Sequence, residues 1–117
     1  TDHLDPKGKV ELSRETQIAV AAVDALGFCL FARGAYMANV EAVLGLVKAR
    51  YGVQLSEADL RRMAVETIQV EIDFNRRAGL GPETDRLPEW IREVPLPPHG
   101  AVFDVPQEEL DAIWQEG

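Results

Sequence analysis

Apolar residues recur at helical spacing over the first two thirds of this chain. The first such stretch predicts a helix that Ser13 caps and Gly27 ends, because Ser accepts hydrogen bonds at helix N-termini and Gly is common just beyond C-termini. We expect this helix to be deeply buried, because its apolar positions share one broad face: Ile18, Ala21, Ala22, Ala25 and Leu26.

Two more helices follow the same pattern. Apolar residues between Tyr36 and Val47 predict a second helix that ends near Gly52. The third helix is the longest: Ser56 and Asp59 resemble a capping box at its start. An apolar ridge with a spacing of four residues then continues toward Gly79: Leu60, Ala64, Ile68 and Ile72.

Prolines and glycines repeatedly interrupt residues 79–100, which predicts an extended segment with one helical turn near residues 87–92. This segment should wrap over the helices through four apolar anchors: Leu87, Trp90, Ile91 and Val94. A short last helix should follow Pro106. No alternation of polar and apolar residues, the pattern typical of strands, persists along the chain. The sequence therefore predicts one all-α domain over residues 1–117, with three to five helices and a long Pro/Gly-rich wrapping segment.

Charge and composition exclude several classes of function. The 20 acidic and 12 basic residues give a net charge of −8, which disfavours a nucleic-acid partner because phosphates would be repelled. No run approaches the roughly 20 apolar residues that cross a bilayer, so we expect no membrane partner. The single cysteine excludes an internal disulfide and favours a reducing, cytoplasmic location.

Candidate chemistry concentrates at the end of the first helix. Cys29 follows Gly27 on backbone expected to be non-helical, so its thiol could face a ligand; the alternative is an inert, buried cysteine. Asp24 interrupts an apolar face, and a buried carboxylate needs a partner, either a ligand or a salt bridge to Arg33 or Lys48. No nucleophile stands beside a base and no metal-binding spacing occurs, so no catalytic residue is assigned.

Several short motifs follow one another in a fixed order. Asp24-x-x-Gly27-x-Cys29 is followed by Tyr51-Gly52-Val53, by the stretch from Val70 to Gly79, by Asp85-Arg86-Leu87-Pro88 and by residues 93–97. This series resembles the C-terminal domain of the tungsten-dependent aldehyde:ferredoxin oxidoreductase family. The similarity extends from about residue 13 to about residue 110.

This resemblance implies cofactor ligands. Cys29 corresponds to one of the four thiolates of a 4Fe-4S cluster, and Asp24 to the carboxylate that accepts hydrogen bonds from a pterin. The backbone of Gly27, Phe28 and Leu30 would line the same pterin edge. The implied cofactors are tungstopterin (or molybdopterin) and the cluster in the full assembly. Because four thiolates hold the cluster and this chain has one cysteine, it cannot house a cluster alone, and the isolated chain need hold no cofactor.

The implied activity is oxidation of aldehydes to carboxylic acids with ferredoxin as electron acceptor. This chain would form part of that enzyme and would not be catalytically complete, so its partners would be the remaining oxidoreductase domains or subunit, together with ferredoxin. A homodimer is a further alternative. The resemblance places Glu71 in a buried ion pair with an arginine such as Arg76. Two alternatives are a stand-alone helical interaction module without cofactor or catalysis, and a metal-free ligand pocket around Asp24 and Cys29.

Overall fold

The computed structural model describes residues 4–115, and its regular elements are helices. They are α1 (Lys9–Ala25), α2 (Arg33–Met37), α3 (Val40–Tyr51), α4 (Glu57–Arg77), α5 (Trp90–Glu93) and α6 (Gln107–Ala112), with 3-10 turns at Leu30–Ala32 and Pro82–Thr84. The β-type pairing found in this part of the chain is an isolated bridge between Leu96 and Ala101. The all-α prediction is confirmed. The chain forms two compact units, one of residues 16–72 and one of the residues before and after them.

Helix α1 begins four residues before the predicted cap. Gly8 has a φ of +73° and its carbonyl accepts a 3.1 Å hydrogen bond from the Leu12 amide, so the first turn is already closed before Ser13. The prediction that Ser13 starts the helix is therefore wrong. Ser13 lies inside α1, because the reversal at Gly8 sets the helix start and no helix breaker follows it.

The expected deep burial of α1 is also wrong. In this helix Ile18 and Val23 are buried, whereas Ala21 and Ala22 are half-buried and Ala25 is exposed. Small alanine side chains bury little area, and this face of the helix borders an open groove.

The predicted second helix is divided in two. Asn39 separates α2 from α3 with φ −147° and ψ 66°, and its side-chain oxygen accepts a 3.2 Å hydrogen bond from the Ala42 amide. An asparagine that caps the following helix cannot continue the preceding one. As predicted, α3 ends at Tyr51, and Gly52 follows in the left-handed conformation with φ +71°.

The capping box of α4 is confirmed. The Asp59 amide donates to the Ser56 hydroxyl at 3.2 Å, and the Ser56 amide donates to the Asp59 carboxylate at 2.8 Å. At the other end, the amides of Gly79 and Leu80 donate to the carbonyls of Arg76 and Asn75. These two bonds form a Schellman motif, so the helix stops where the glycine predicted.

The unit of residues 16–72 has a small apolar core contributed by α1, α3 and α4. Its buried side chains are at most 8% exposed: Ile18, Val23, Val43, Leu44, Leu60, Ala64 and Ile68. Among residues 4–115, no single helix is long and apolar enough to cross a bilayer; α1 and the segment Leu30–Met37 meet that criterion together only as a pair bent by 117°.

In the other unit, polar contacts hold the Pro/Gly-rich segment. The Arg92 guanidinium donates to the Val105 carbonyl at 2.9 Å and to the Gln107 side chain at 3.0 Å, and Gln107 donates to Asp111. Arg86 pairs with Asp111; hydrogen bonds from Arg86 and then Gln107 lower the pKa of the Asp111 carboxyl. The expected apolar anchoring is largely wrong, because Leu87, Trp90 and Val94 are exposed and of the four anchors only Ile91 is half-buried.

Candidate functional site

The chain reverses direction sharply after α1. The amides of Gly27 and Phe28 donate to the carbonyls of Asp24 at 2.9 Å and Val23 at 3.1 Å, which is the Schellman pattern. Gly27 has a φ of +72°, a conformation that residues with a Cβ rarely adopt. The reversal therefore depends on glycine, and it places Asp24 immediately before the turn and Cys29 immediately after it.

Cys29 lies on extended backbone, with φ −68° and ψ 125°. Its thiol is free and exposed, and its carbonyl accepts a 3.0 Å hydrogen bond from the Ala32 amide. The predicted non-helical position is confirmed, and the alternative of an inert, buried cysteine is wrong. An exposed thiol is open to a ligand from outside this chain. Its role as a cluster ligand remains a prediction.

The residues around Cys29 point in different directions. Phe28 is half-buried and its ring stacks on that of Tyr36, with ring centroids 4.4 Å apart and an angle of 24° between the planes. Leu30 is 42% exposed and Phe31 is 100% exposed. The segment therefore has one aromatic ring held by this chain and two apolar side chains that the chain leaves uncovered.

Asp24 is exposed in the last turn of α1, so the prediction of a buried carboxylate is wrong. No ion pair joins it to Arg33 or Lys48 in the part of the chain that the structure describes, so the predicted salt bridge does not form. The misprediction has a physical cause: the face that Asp24 shares with alanines of α1 borders a groove rather than the core. Its carboxylate is accessible to a ligand.

That groove lies between α1 and α4 and has a volume of about 560 Å³. Apolar side chains of both helices and two carboxylates, those of Asp24 and Glu71, line it, and no basic residue does. Glu71 is exposed and forms no ion pair with Arg76, so the expected buried pair is wrong. The groove therefore combines apolar walls with two carboxylates and with the neutral polar side chains of Thr16, Gln17 and Thr67.

The ligand residues of this chain could form part of a cluster site, but not a complete one. A 4Fe-4S cluster needs four cysteine ligands, and this chain supplies one. Within residues 4–115 no group of three or more His, Cys, Asp or Glu side chains could hold a metal ion. At the Gly27 turn the chain offers one exposed thiol, that of Cys29, and one exposed carboxylate, that of Asp24.

Comparison with protein-family models tests the resemblance described above. The model of the family described as aldehyde ferredoxin oxidoreductase, domains 2 and 3, matches residues 1–116. The chain belongs to this family. No curated protein and no solved structure matches it. The aldehyde ferredoxin oxidoreductase membership confirms the resemblance seen in the motifs and gives the chain the context of a larger oxidoreductase.

Sequence reasoning missed two features of this region. The stacking of Phe28 on Tyr36 brings together residues eight positions apart, across a turn that apolar periodicity does not describe. The position of Glu71 in the same groove as Asp24 requires α1 and α4 to lie side by side, which no local pattern shows. The sequence did offer one indication of this groove: Asp24 and Glu71 each interrupt an apolar stretch of a helix.

Proposed function

We propose that this chain is the part of a tungstopterin aldehyde oxidoreductase that closes one side of the cofactor. The Cys29 thiolate would be one of the cluster ligands, and the Asp24 carboxylate would bind the pterin. The observation that carries the proposal is the Schellman turn at Gly27, which leaves an exposed carboxylate and an exposed thiol at its two ends. Family membership supplies the oxidoreductase context.

The donors and acceptors of the turn suit a ligand rich in N–H groups. A carboxylate can accept two parallel hydrogen bonds from neighbouring N–H groups of a flat ring. The amides of Gly27 and Phe28 already donate within the turn, so these residues can offer only carbonyl oxygens, which also accept. The Leu30 carbonyl accepts one hydrogen bond, from the Arg33 amide, and its second lone pair could still accept from the pterin edge.

When bound, the cofactor would supply the redox chemistry: an aldehyde and water give a carboxylic acid, two electrons and two protons. This chain would position the ring through Asp24 and hold one corner of the cluster through Cys29. The other three thiolates must come from the rest of the oxidoreductase, because the chain has no other cysteine. We further propose that ferredoxin accepts the electrons and that the assembly is cytoplasmic, in keeping with a free, exposed thiol.

Metal content tests the proposal. The chain is tagged and isolated from its native cells, and iron, tungsten and molybdenum are quantified in the captured material. Cys29→Ala should lower iron at least fivefold, and Asp24→Asn should lower the pterin metal at least fivefold. Glu66→Gln, which removes an exposed carboxylate of α4 outside the groove, is the matched control and should retain both. Metal-free wild-type material, or iron that is unchanged by Cys29→Ala, would contradict the proposal.

The alternative is a stand-alone interaction module without cofactor or catalysis. The observation that favours it is the number of large apolar side chains left exposed, Phe31 above all. The two hypotheses differ in whether the captured material contains a Cys-x-x-Cys-x-x-x-Cys sequence, which the family resemblance implies as the source of the other three cluster thiolates. The metal-free ligand pocket would instead show ligand binding that Asp24→Asn abolishes, with no metal in the wild type.

A further inference from the structure

Negative charge is distributed unevenly between the two units of the chain. The unit of residues 16–72 contains six acidic and five basic residues, a net charge of −1, whereas the remaining residues contain 14 acidic and seven basic ones, a net charge of −7. Two copies of the chain repel each other through these charges. A contact between copies is therefore least opposed at the unit of residues 16–72.

The groove between α1 and α4 belongs to this unit and has a negative charge on each wall. Asp24 lies on the α1 wall and Glu71 on the α4 wall, and no basic residue lines the groove. Within residues 4–115 neither carboxylate forms an ion pair or accepts a hydrogen bond. The groove is therefore complementary to a helix that has an uncharged face and a basic residue along each edge of that face.

The exposed face of α3, in the same unit, has this arrangement. Ala42, Gly45 and Ala49 recur at helical spacing and are exposed, so they form a flat face of small residues. At 100° per residue, Lys48 and Arg50 lie on opposite edges of this face. Both are exposed, and neither forms an ion pair in the part of the chain that the structure describes.

We propose that α3 of one copy lies in the groove between α1 and α4 of a second copy, where Lys48 and Arg50 pair with the carboxylates of Asp24 and Glu71. Small residues on α3 allow the helices to approach closely. The groove follows residues 16–25 of α1, about 14 Å, and the twelve residues of α3 extend about 18 Å, so the two match in length.

Each copy carries both surfaces, so the contact either closes a pair or continues along a row of copies. The inference does not rest on the proposed function. Association is measured on the isolated, metal-free chain, so either idea can fail without the other.

Sedimentation velocity over a range of concentrations tests the inference with reversed charges. One double variant carries Asp24→Lys and Glu71→Lys, and the other carries Lys48→Glu and Arg50→Glu. Each alone should associate at least tenfold more weakly than the wild type, because like charges then face each other. An equimolar mixture of the two should recover association to within about threefold, because each groove again meets an α3 of opposite charge.

Two matched double variants reverse charges elsewhere. Glu66→Lys with Glu89→Lys, and Lys7→Glu with Arg76→Glu, change exposed residues outside the groove and outside α3, so both should associate like the wild type. Circular dichroism checks that every variant is folded.

Gly45→Gln tests the contact without a change of charge. A Cβ at this position meets nothing within 4 Å, so the variant should fold, yet its side chain would stand on the face that enters the groove. It should also weaken association at least tenfold.

The remaining outcomes would overturn the inference. A wild-type chain that stays monomeric up to about 1 mM, where even a weak specific contact is populated, has no such interface. Association that survives in both reversed variants would belong to the exposed apolar side chains instead. A mixture that fails to recover association would show that these charges do not face one another.

Discussion

The ring of Phe28 stacks on the ring of Tyr36, with centroids 4.4 Å apart and planes inclined by 24°. This contact joins the residue that follows the Gly27 turn to α2. Cys29 is the next residue in the chain, so the stack and the turn together restrain the backbone that carries the thiol. The exposed Cys29 is thus restrained in part by its half-buried neighbour Phe28.

The stack should be measurable as a coupling energy. Aromatic pairs of this geometry contribute about 0.5–1.5 kcal/mol beyond their burial. We expect Phe28→Ala and Tyr36→Ala to show a coupling of that size in a double-mutant cycle, measured by urea unfolding. If the two free-energy changes simply add, the stack does not stabilise the turn.

Gly27→Ala should destabilise the protein by about 1–2 kcal/mol, because the substitution forces a residue with a Cβ into the left-handed conformation. Nothing lies within 4 Å of the site that such a Cβ would occupy, so the effect is one of backbone conformation alone. Gly45, inside α3, is the matched control: Gly45→Ala is equally unobstructed and should stabilise by up to about 1 kcal/mol. Thermal unfolding of both variants checks the opposite signs.

Asp24→Asn should leave stability unchanged or raise it by about 0.3–1 kcal/mol. A carboxylate in the last turn of a helix faces the negative end of the helix dipole, and the last turn of α1 contains no basic residue. Glu11→Gln in the first turn of the same helix should have the opposite effect. A large loss of stability in Asp24→Asn would show that the carboxylate has a structural partner, and would weaken its assignment to a ligand.

The α4 capping box should give a pH-dependent contribution to stability. Hydrogen bonds from the Ser56 hydroxyl, the Ser56 amide and Arg62 lower the pKa of Asp59 to about 2 from a usual value of 3.8. A lowered pKa contributes stability that is fully present above the unfolded-state value and is lost as the pH falls through the folded-state value. The stability difference between wild type and Asp59→Asn should therefore shrink between pH 4 and pH 2 in urea titrations.

The same box gives an expectation at neutral pH. Ser56→Ala should cost about 1 kcal/mol, the usual effect of removing an N-cap hydroxyl. Gln54→Ala is the control, because Gln54 is an exposed side chain two residues before the cap. Urea unfolding at pH 7 compares the two, and an equal loss in both variants would argue against a specific role for the cap.

The sequence predicted four helix ends that depend on local hydrogen bonds, but it missed the start of α1 after Gly8 and the break at Asn39. The turns at Gly27, Gly52 and Gly79 and the box at Ser56 involve partners at most five residues apart, so their signals are present in short stretches. Burial was harder to predict, because it depends on what lies beside an element. Asp24 shares a face with alanines, but that face borders a groove, so its expected burial was wrong. Cys29 was correctly placed beyond the helix, whereas its exposure could not be read from its apolar neighbours.

The exposed apolar side chains also affect how the chain behaves in solution. With Phe31, Phe74 and Trp90 in contact with water, attraction between copies is opposed chiefly by a net charge of −8. That repulsion vanishes near the isoelectric point of about 4.7 and is screened by salt. The isolated chain should therefore scatter light and precipitate in mildly acidic or concentrated salt solutions while its helices remain intact.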